Sequence, residues 1–305
     1  MRFQGRHNMI TIEQVFQSAI KKLQNKTISP HLDAEILLAF ILKKPKEYLY
    51  INPKIPIDTK MLKKINLSIR RRMKHEPIAY ITGHKEFYGL DFLVEQSVLI
   101  PRPETELMVE EVLKILKTDP LSPPLPEEKK LIVDVGTGSG CIPIAIVKNT
   151  DVRAIAIDNS DKALKIARIN AKRHGVFNKI KFIKSNLLKS YKLKAINYKL
   201  LIITANLPYL PTSEWRRAPL DVKKYEPRSA LDGGHDGLKY YLELLPQIEV
   251  IARITQIPIF CLFEFCPEQK NTLKNLILTT FPTAKMQIKK DLAKQDRLLI
   301  LEIGN

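Results

Sequence analysis

Cysteine is scarce in this 305-residue chain. Cys141, Cys261 and Cys266 are too few and too scattered for a disulfide framework or a cysteine zinc site. The six histidines, His7, His31, His75, His84, His174 and His235, show no metal-ligand pairing. No Gly-x-Ser-x-Gly elbow is present, so that type of hydrolase nucleophile is excluded. No apolar run is long enough to span a bilayer. The stretch Met1 to Asn8 has basic residues but no apolar segment after it, which argues against a signal peptide. A cytoplasmic protein without a metal is the expectation.

Acidic residues are outnumbered, 32 Asp+Glu against 50 Lys+Arg, for a net charge of +18. An excess of this sign suits a nucleic-acid or ribosome partner. It suits better a lysine-rich surface set by composition, because the lysines are spread along the whole chain. The one dense run is Arg70-Arg71-Arg72-Met73-Lys74, and no Arg/Gly/aromatic RNA-binding pattern accompanies it. The charge permits contact with RNA or the ribosome and does not require it.

What is present is ordinary globular material, 45% hydrophobic and 27% charged, in a length that suggests about two domains. Residues 11–75 read as helical. Ile12, Val15, Phe16, Ala19, Ile20 and Leu23 recur at helical spacing, and Thr11 with Gln14 resembles a capping box. A second helix is expected from Pro30 to Leu42, with Leu32, Ile36, Leu37, Phe40 and Ile41 on its apolar face. A third is expected from Asp58 to Lys74. This bundle, residues 1–76, carries no catalytic constellation and reads as a docking or substrate-positioning module. Residues 77–100 read as a β-hairpin linker, with Ala79-Tyr80-Ile81-Thr82-Gly83 and Phe87 to Val94 as short strands.

Residues 101–305 form the third segment. Ile100-Pro101-Arg102-Pro103-Glu104-Thr105-Glu106 enters a helix ending near Lys117, and Pro120, Pro123, Pro124 and Pro126 mark a loop. Strands are expected at 131–135, 153–158, 180–185, 200–205, 257–265, 284–289 and 297–303. Helices are expected at 139–149, 160–174, 237–254 and 267–280. The alternation implies an α/β fold, a mostly parallel seven-stranded sheet covered on both faces, with the last two strands as an antiparallel hairpin at its edge.

The chemistry sits at the ends of these strands. Gly136-Thr137-Gly138-Ser139-Gly140 follows the first, and glycines there let the backbone turn sharply and approach a ligand. The dinucleotide spacing is absent, and no Gly-Lys-Ser/Thr follows for a phosphate loop. Such a turn suits the amino-acid end of S-adenosylmethionine. Asp158 ends the second strand, where a carboxylate can accept from two ribose hydroxyls. Asn186 and Leu187 follow the third and can meet an adenine amino group and pack on its ring. Asn206-Leu207-Pro208-Tyr209 follows the fourth. There the Asn206 side-chain oxygen and the Leu207 carbonyl can each accept one N–H of a planar nitrogen and aim its lone pair at a sulfonium methyl. Pro208 stiffens the turn and has no competing donor, and Tyr209 can wall the planar group. Asn206 also borders the cofactor. Taken alone, each motif has a competing explanation: a tight strand–helix turn of another α/β enzyme for the glycine segment, a cap of the next helix for Asp158, an ordinary loop for Asn186 and Leu187, and a simple Asn-x-Pro turn for Asn206 to Tyr209.

With these segments in place, the sequence resembles the HemK/PrmC family, the peptide chain release factor N5-glutamine methyltransferases. The resemblance covers nearly the whole chain. It rests on Pro77 to Gly83, on Pro101-Arg102-Pro103-Glu104-Thr105-Glu106, and on Tyr225-Glu226-Pro227-Arg228-Ser229-Ala230-Leu231 followed by Gly233-Gly234 and Asp236-Gly237-Leu238. It implies a Rossmann-like class I S-adenosylmethionine-dependent methyltransferase with a small N-terminal helical domain. The implied activity is methyl transfer to the glutamine N5 of the Gly-Gly-Gln motif in a release factor, yielding S-adenosylhomocysteine, with no metal. The implied partner is the release factor, held in part by the N-terminal domain; no membrane is involved, and a monomer is expected. Two positions depart from the family pattern: Leu207 replaces the first proline of Asn-Pro-Pro-Tyr, and Asn186 replaces an acid. Asn-Leu-Pro-Tyr also occurs in rRNA adenine N6-dimethyltransferases, so an RNA adenine methyltransferase is the alternative, and a non-catalytic methyltransferase-like scaffold is a third.

Overall fold

The computed structural model describes residues 10–118, 125–189 and 198–304. The segment Met1 to Asn8 and the loop at Pro120, Pro123 and Pro124 lie outside them. Two compact units are present. One comprises the described residues up to Gly83 together with Pro219–Tyr225, and the other comprises His84–Ala218 with the described residues from Glu226 onward.

The first unit is built from α1 (Ile12–Leu23), α2 (Pro30–Leu42), α3 (Glu47–Ile51), α4 (Thr59–Met73) and α5 (Ile78–Thr82). The Thr11 side chain and the Gln14 side chain cap each other's backbone N–H at the start of α1, as the sequence pattern anticipates. On α1 the expected stripe is buried, with Ile20 at its partly buried margin. On α2 the buried residues are the expected Leu37 together with Asp33, Ala34, Leu38 and Ala39, while Ile36 and Ile41 are half-buried and Leu32 and Phe40 are exposed. That helix is apolar on nearly every side, so spacing alone could not choose the face. Asp33 is tolerated inside because Arg72 on α4 donates to it at 2.6 Å. Arg71 makes a two-pronged pair with Glu76 at 2.7 and 2.6 Å. Two residues of the dense basic run are therefore internal ties. Residues 79–83, expected as a short strand, fall instead in α5 and its cap, because Pro77 opens a helical turn and Gly83 closes it in the left-handed region at φ +78°.

The second unit opens with the hairpin β1 (His84–Phe87) and β2 (Leu90–Leu93), then α6 (Glu106–Thr118). The sheet follows with β3 (Lys130–Val135), α7 (Cys141–Lys148), β4 (Arg153–Asp158), α8 (Asp161–Arg173), β5 (Ile180–Lys184) and β6 (Leu200–Ala205). After β6 come two short helices that the sequence did not announce: α9 (Thr212–Arg217), and α10 (Leu220–Tyr225), which belongs to the first unit. Then α11 (Lys239–Thr255), β7 (Ile259–Glu264), α12 (Lys270–Thr280), β8 (Lys285–Lys290) and β9 (Asp296–Ile303) complete the chain. The strand order is β5-β4-β3-β6-β7-β9-β8, parallel except for β9, which runs antiparallel to both neighbours.

Alternation along each central strand makes two cores. Leu131, Val133 and Val135 face the side covered by α11 and α12, and Ile132 faces the side covered by α6, α7 and α8. The chain winds outward from β3 through β4 to β5, then returns to place β6 on the other side of β3. The switch between β3 and β6 opens a crevice at the carboxyl ends of the strands. The register pairs Val135 with Ala205, so Gly136 and Asn206 leave the sheet side by side.

Candidate active site

A cavity opens at that switch point. Among the sequence-selected residues, its wall includes Gly136, Gly138, Ser139, Asp158, Asn186, Leu187, Asn206, Leu207 and Pro208. Thr137, Gly140 and Tyr209 are not on it. Thr137 is buried behind the loop, and Gly140 is the residue from which α7 starts.

The loop after β3 is held from β4. The amides of Gly136 and Thr137 both donate to the Ile157 carbonyl at 2.9 Å, and the Gly138 N–H donates to Asp158 Oδ2 at 2.9 Å. Gly136 is at φ +77°, and a Cβ there would lie 3.0 Å from Leu207 Cδ2. The side chain of Leu207 thus packs on the bare face of Gly136 and is itself buried. That contact gives the leucine side chain a packing role against the glycine loop.

Asp158 has both a structural and a solvent-facing share. Its Oδ1 accepts the Ser160 N–H at 2.9 Å, and Ser160 in turn caps α8 by accepting from Ala163. Burial pushes the carboxyl above its ordinary value, while the N–H groups of Ser160, Gly138 and Asn159 pull it back. Each carboxylate oxygen keeps a lone pair beyond these bonds. The fit to a vicinal diol lies in that remaining acceptor capacity on the cavity wall.

Asp134, one residue from the end of β3, is fully buried. Thr204 Oγ1 donates to its Oδ1 at 2.7 Å. Among the described residues, its Oδ2 and Thr137 Oγ1 have no hydrogen-bond partner. Thr137 is near enough to favour the ionised carboxylate yet makes no bond of normal geometry. Burial dominates and pushes the Asp134 carboxyl up to about 6.

Beyond β5, Leu187 turns the chain at φ +53° and is buried, while Asn186 is exposed at the cavity rim. The Leu188 N–H donates to Gln247 on α11 at 2.8 Å, which fixes this loop from below.

Beyond β6, Asn206 Nδ2 donates to Thr105 Oγ1 at 3.0 Å, and Thr105 Oγ1 donates to Glu264 Oε2 at 2.7 Å. Among the described residues, nothing is bonded to Asn206 Oδ1 or to the Leu207 carbonyl. The Tyr209 phenol turns away from the cavity and donates to Glu264 Oε1 at 2.9 Å. Tyr209 thereby braces the turn and is not on the cavity wall. Its carbonyl accepts from Gln269 Nε2 at 2.8 Å, and the same Nε2 donates to the Asp236 carbonyl at 2.8 Å. Gly237 passes so close that a Cβ there would lie 2.1 Å from the Tyr209 carbonyl oxygen. This explains glycine at that place in the segment after Glu226. The opposite rim is tied by Glu226, almost wholly buried, which accepts from Arg102 Nη2 at 2.5 Å and from the Ile100 N–H at 3.2 Å.

The chain is 34% identical over 275 residues to the release factor glutamine methyltransferase of Chlorobaculum tepidum, covering 90% of each protein. The chain belongs to the release factor glutamine methyltransferase family. A second member, from Coxiella burnetii, is 40% identical over 231 residues, 75% of this chain and 78% of that protein. A family profile described as "PrmC N-terminal domain" matches residues 14–83, and one described as "Methyltransferase domain" matches residues 132–224. In fold alone, the chain is similar to the hMettl16 catalytic domain solved with the MAT2A 3'UTR hairpin 6. The TM-score is 0.53 and the identity 13%, over 88% of this chain and 92% of that one.

Within this release factor glutamine methyltransferase, sequence reasoning missed Thr105, Glu264, Gln269 and the Arg102–Glu226 tie. Glu264 did carry a signal, since it is an acid closing an otherwise apolar strand, as Asp158 is. Thr105 and Glu226 lay inside the segments that carried the family resemblance, without a role attached to either.

Proposed function

We propose that this chain transfers a methyl group from S-adenosylmethionine to the N5 nitrogen of the glutamine in the Gly-Gly-Gln motif of a peptide chain release factor. The cofactor supplies an electrophilic methyl group on a sulfonium sulfur. On this reading, Gly136, Gly138 and Ser139 receive its amino-acid end, the Asp158 carboxylate receives the ribose hydroxyls, and Asn186 and Leu187 border the adenine. A cytoplasmic site of action goes with a release-factor substrate.

The observation that carries the proposal is the state of the Asn206 amide. Its nitrogen is engaged by Thr105, and its oxygen is left as an acceptor on the cavity wall. A glutamine amide is a poor nucleophile because its lone pair is delocalised into the carbonyl. Two acceptors on its two N–H groups, Asn206 Oδ1 and the Leu207 carbonyl, hold the nitrogen and favour a geometry in which the lone pair is available. Pro208 adds no N–H to compete at the turn. Positioning and fixed dipoles are the protein's contribution. Asn206 cannot act as a base, so the amide proton passes to solvent. The departures at Leu207 and Asn186 are compatible with this scheme: the first contributes a carbonyl, and the second remains a hydrogen-bonding side chain at the rim.

The test is a transfer assay with labelled S-adenosylmethionine. It offers a release factor, the same factor with its Gly-Gly-Gln glutamine changed to alanine, and ribosomal RNA. Label on the unaltered factor alone is the expected result, and label on RNA would overturn the proposal in favour of an RNA adenine methyltransferase. Asn206→Ala should lower turnover by roughly 10²-fold with cofactor binding largely kept. Asp158→Ala should instead weaken cofactor binding by roughly tenfold or more, the scale of lost bonds to a charged group.

A further inference from the structure

We propose that Thr105 and Glu264 are positioning residues that fix which end of the Asn206 amide faces the substrate. The proposal rests on the reaction proposed above and concerns how its central side chain is aimed.

An asparagine amide is nearly symmetric in shape but not in chemistry. One end accepts and the other donates, and rotation by half a turn exchanges them. In a site that must accept an N–H from a glutamine amide, the wrong orientation would point a donor at a donor. Something must therefore break the symmetry, and the hydrogen-bond chain behind Asn206 does so.

The chain begins at Glu264, the last residue of β7, which is 1% exposed. Both of its carboxylate oxygens face hydroxyl groups, Thr105 at 2.7 Å and Tyr209 at 2.9 Å. An ionised carboxylate only accepts, so each hydroxyl spends its single proton on Glu264. Thr105, 2% exposed, then has nothing left to donate toward Asn206. It can only accept, and what it accepts at 3.0 Å is the Asn206 NH2. Oδ1 is left to face the cavity. The carboxylate's lack of protons is thus relayed through one hydroxyl to the polarity of the amide. Burial raises the Glu264 carboxyl above its ordinary value, and the two hydroxyl donors and the nearby Arg297 pull it back toward the ionised form. The surrounding packing holds the chain in place: the hydroxyl of fully buried Tyr241 donates to the Glu264 carbonyl and lies 3.3 Å from the Ala205 carbonyl at the end of β6. The two strand ends that carry Glu264 and Asn206 are thereby clamped together.

Three variants test this. Thr105→Val keeps the shape and removes the hydroxyl. Glu264→Gln keeps the shape and adds a donor, which lets Thr105 turn its proton toward Asn206. Thr105→Ser keeps the hydroxyl. For methyl transfer to release factor, the first two should lose about 10²-fold in kcat, the scale of a misaimed reacting group. KM for release factor and affinity for S-adenosylhomocysteine should stay within about twofold, a difference of roughly 0.4 kcal/mol. Thr105→Ser should recover most of the lost turnover. A merely structural role would lower stability without this split or this rescue.

A second readout does not depend on catalysis. The side-chain amide protons of Asn206, assigned by their loss in Asn206→Ala, should exchange slowly with solvent in the unaltered protein and in Thr105→Ser. They should exchange fast in Thr105→Val. Unchanged kcat in Thr105→Val, or equally slow amide exchange there, would overturn the proposal. If the unaltered protein methylates no release factor, the proposed function falls, and the exchange measurement still decides the orientation of the amide.

Discussion

Replacing Asp134 with asparagine should stabilise the protein near neutral pH and leave it unchanged in acid. Asp134 is 1% exposed, holds one hydrogen bond from Thr204, and has a second oxygen without a partner among the described residues. Burial raises its carboxyl from the ordinary 3.8 to about 6. Between those values the folded protein keeps a proton that the unfolded chain has released. Stability therefore falls as pH rises through that window and levels off above it. The full penalty is the difference between the two values at 1.36 kcal/mol for each, about 3 kcal/mol. Asparagine keeps an acceptor for the Thr204 hydroxyl, places a donor toward Thr137 Oγ1, and carries no charge. Urea unfolding should thus show a gap in favour of Asp134→Asn that is near zero below about pH 4 and approaches about 3 kcal/mol above about pH 6.5. A gap independent of pH, or a variant less stable than the parent at neutral pH, would refute the argument that an ionised Asp134 is an uncompensated buried charge.

Gly136→Ala should place a Cβ against Leu207 Cδ2 at 3.0 Å in a backbone held at φ +77°. The left-handed strain alone is about 1–2 kcal/mol, and calorimetry should show cofactor affinity reduced by roughly tenfold or more; unchanged affinity would remove this contact from the site. In the helical unit, Arg72→Ala should strand the Asp33 carboxylate, whose side chain is 9% exposed. Loss of one partner of a buried pair costs about 3 kcal/mol, read as lost hydrogen-exchange protection in α2 and α4, and full protection there would show that water already solvates Asp33.

The parts of this molecule legible in its sequence are those fixed by local physics. The seven sheet strands stand out because each central one is an apolar run broken by a turn, and Asp158 and Asn206 stand out because each is polar at the end of such a run. The 79–83 segment was misjudged because Tyr80, Ile81 and Thr82 favour strands, while the deciding features are Pro77 before the helical turn and Gly83 closing it. Helices α9 and α10 have six residues each, too few to show a helical period. The pairing of Thr105 with Glu264 spans 159 positions in the chain. Glu264 is marked only as an acid closing an apolar strand and Thr105 not at all, and the tertiary fold brings them together.

That order also explains why the site is laid out as it is. In space the relevant strands run β4, β3, β6, β7. Asp158 stands at the end of β4, the glycine loop at the end of β3, Asn206 just past β6 and Glu264 at the end of β7. On the proposed function, the cofactor's ribose lies over the first of these, its reactive end over the next two, and the group that orients Asn206 over the last. The two acids thus flank the reacting centre without either one entering it. Asp158 can be tuned for cofactor binding through the loop it holds, and Glu264 for substrate orientation through Thr105. A neutral amide sits between them, where a carboxylate would bind an amide N–H more strongly but offer no fixed donor end for Thr105 to hold. An Asn206→Asp change would put a second carboxylate on Thr105, whose single proton already serves Glu264. On the proposed function the asparagine is therefore required twice, once by the substrate and once by the chain behind it.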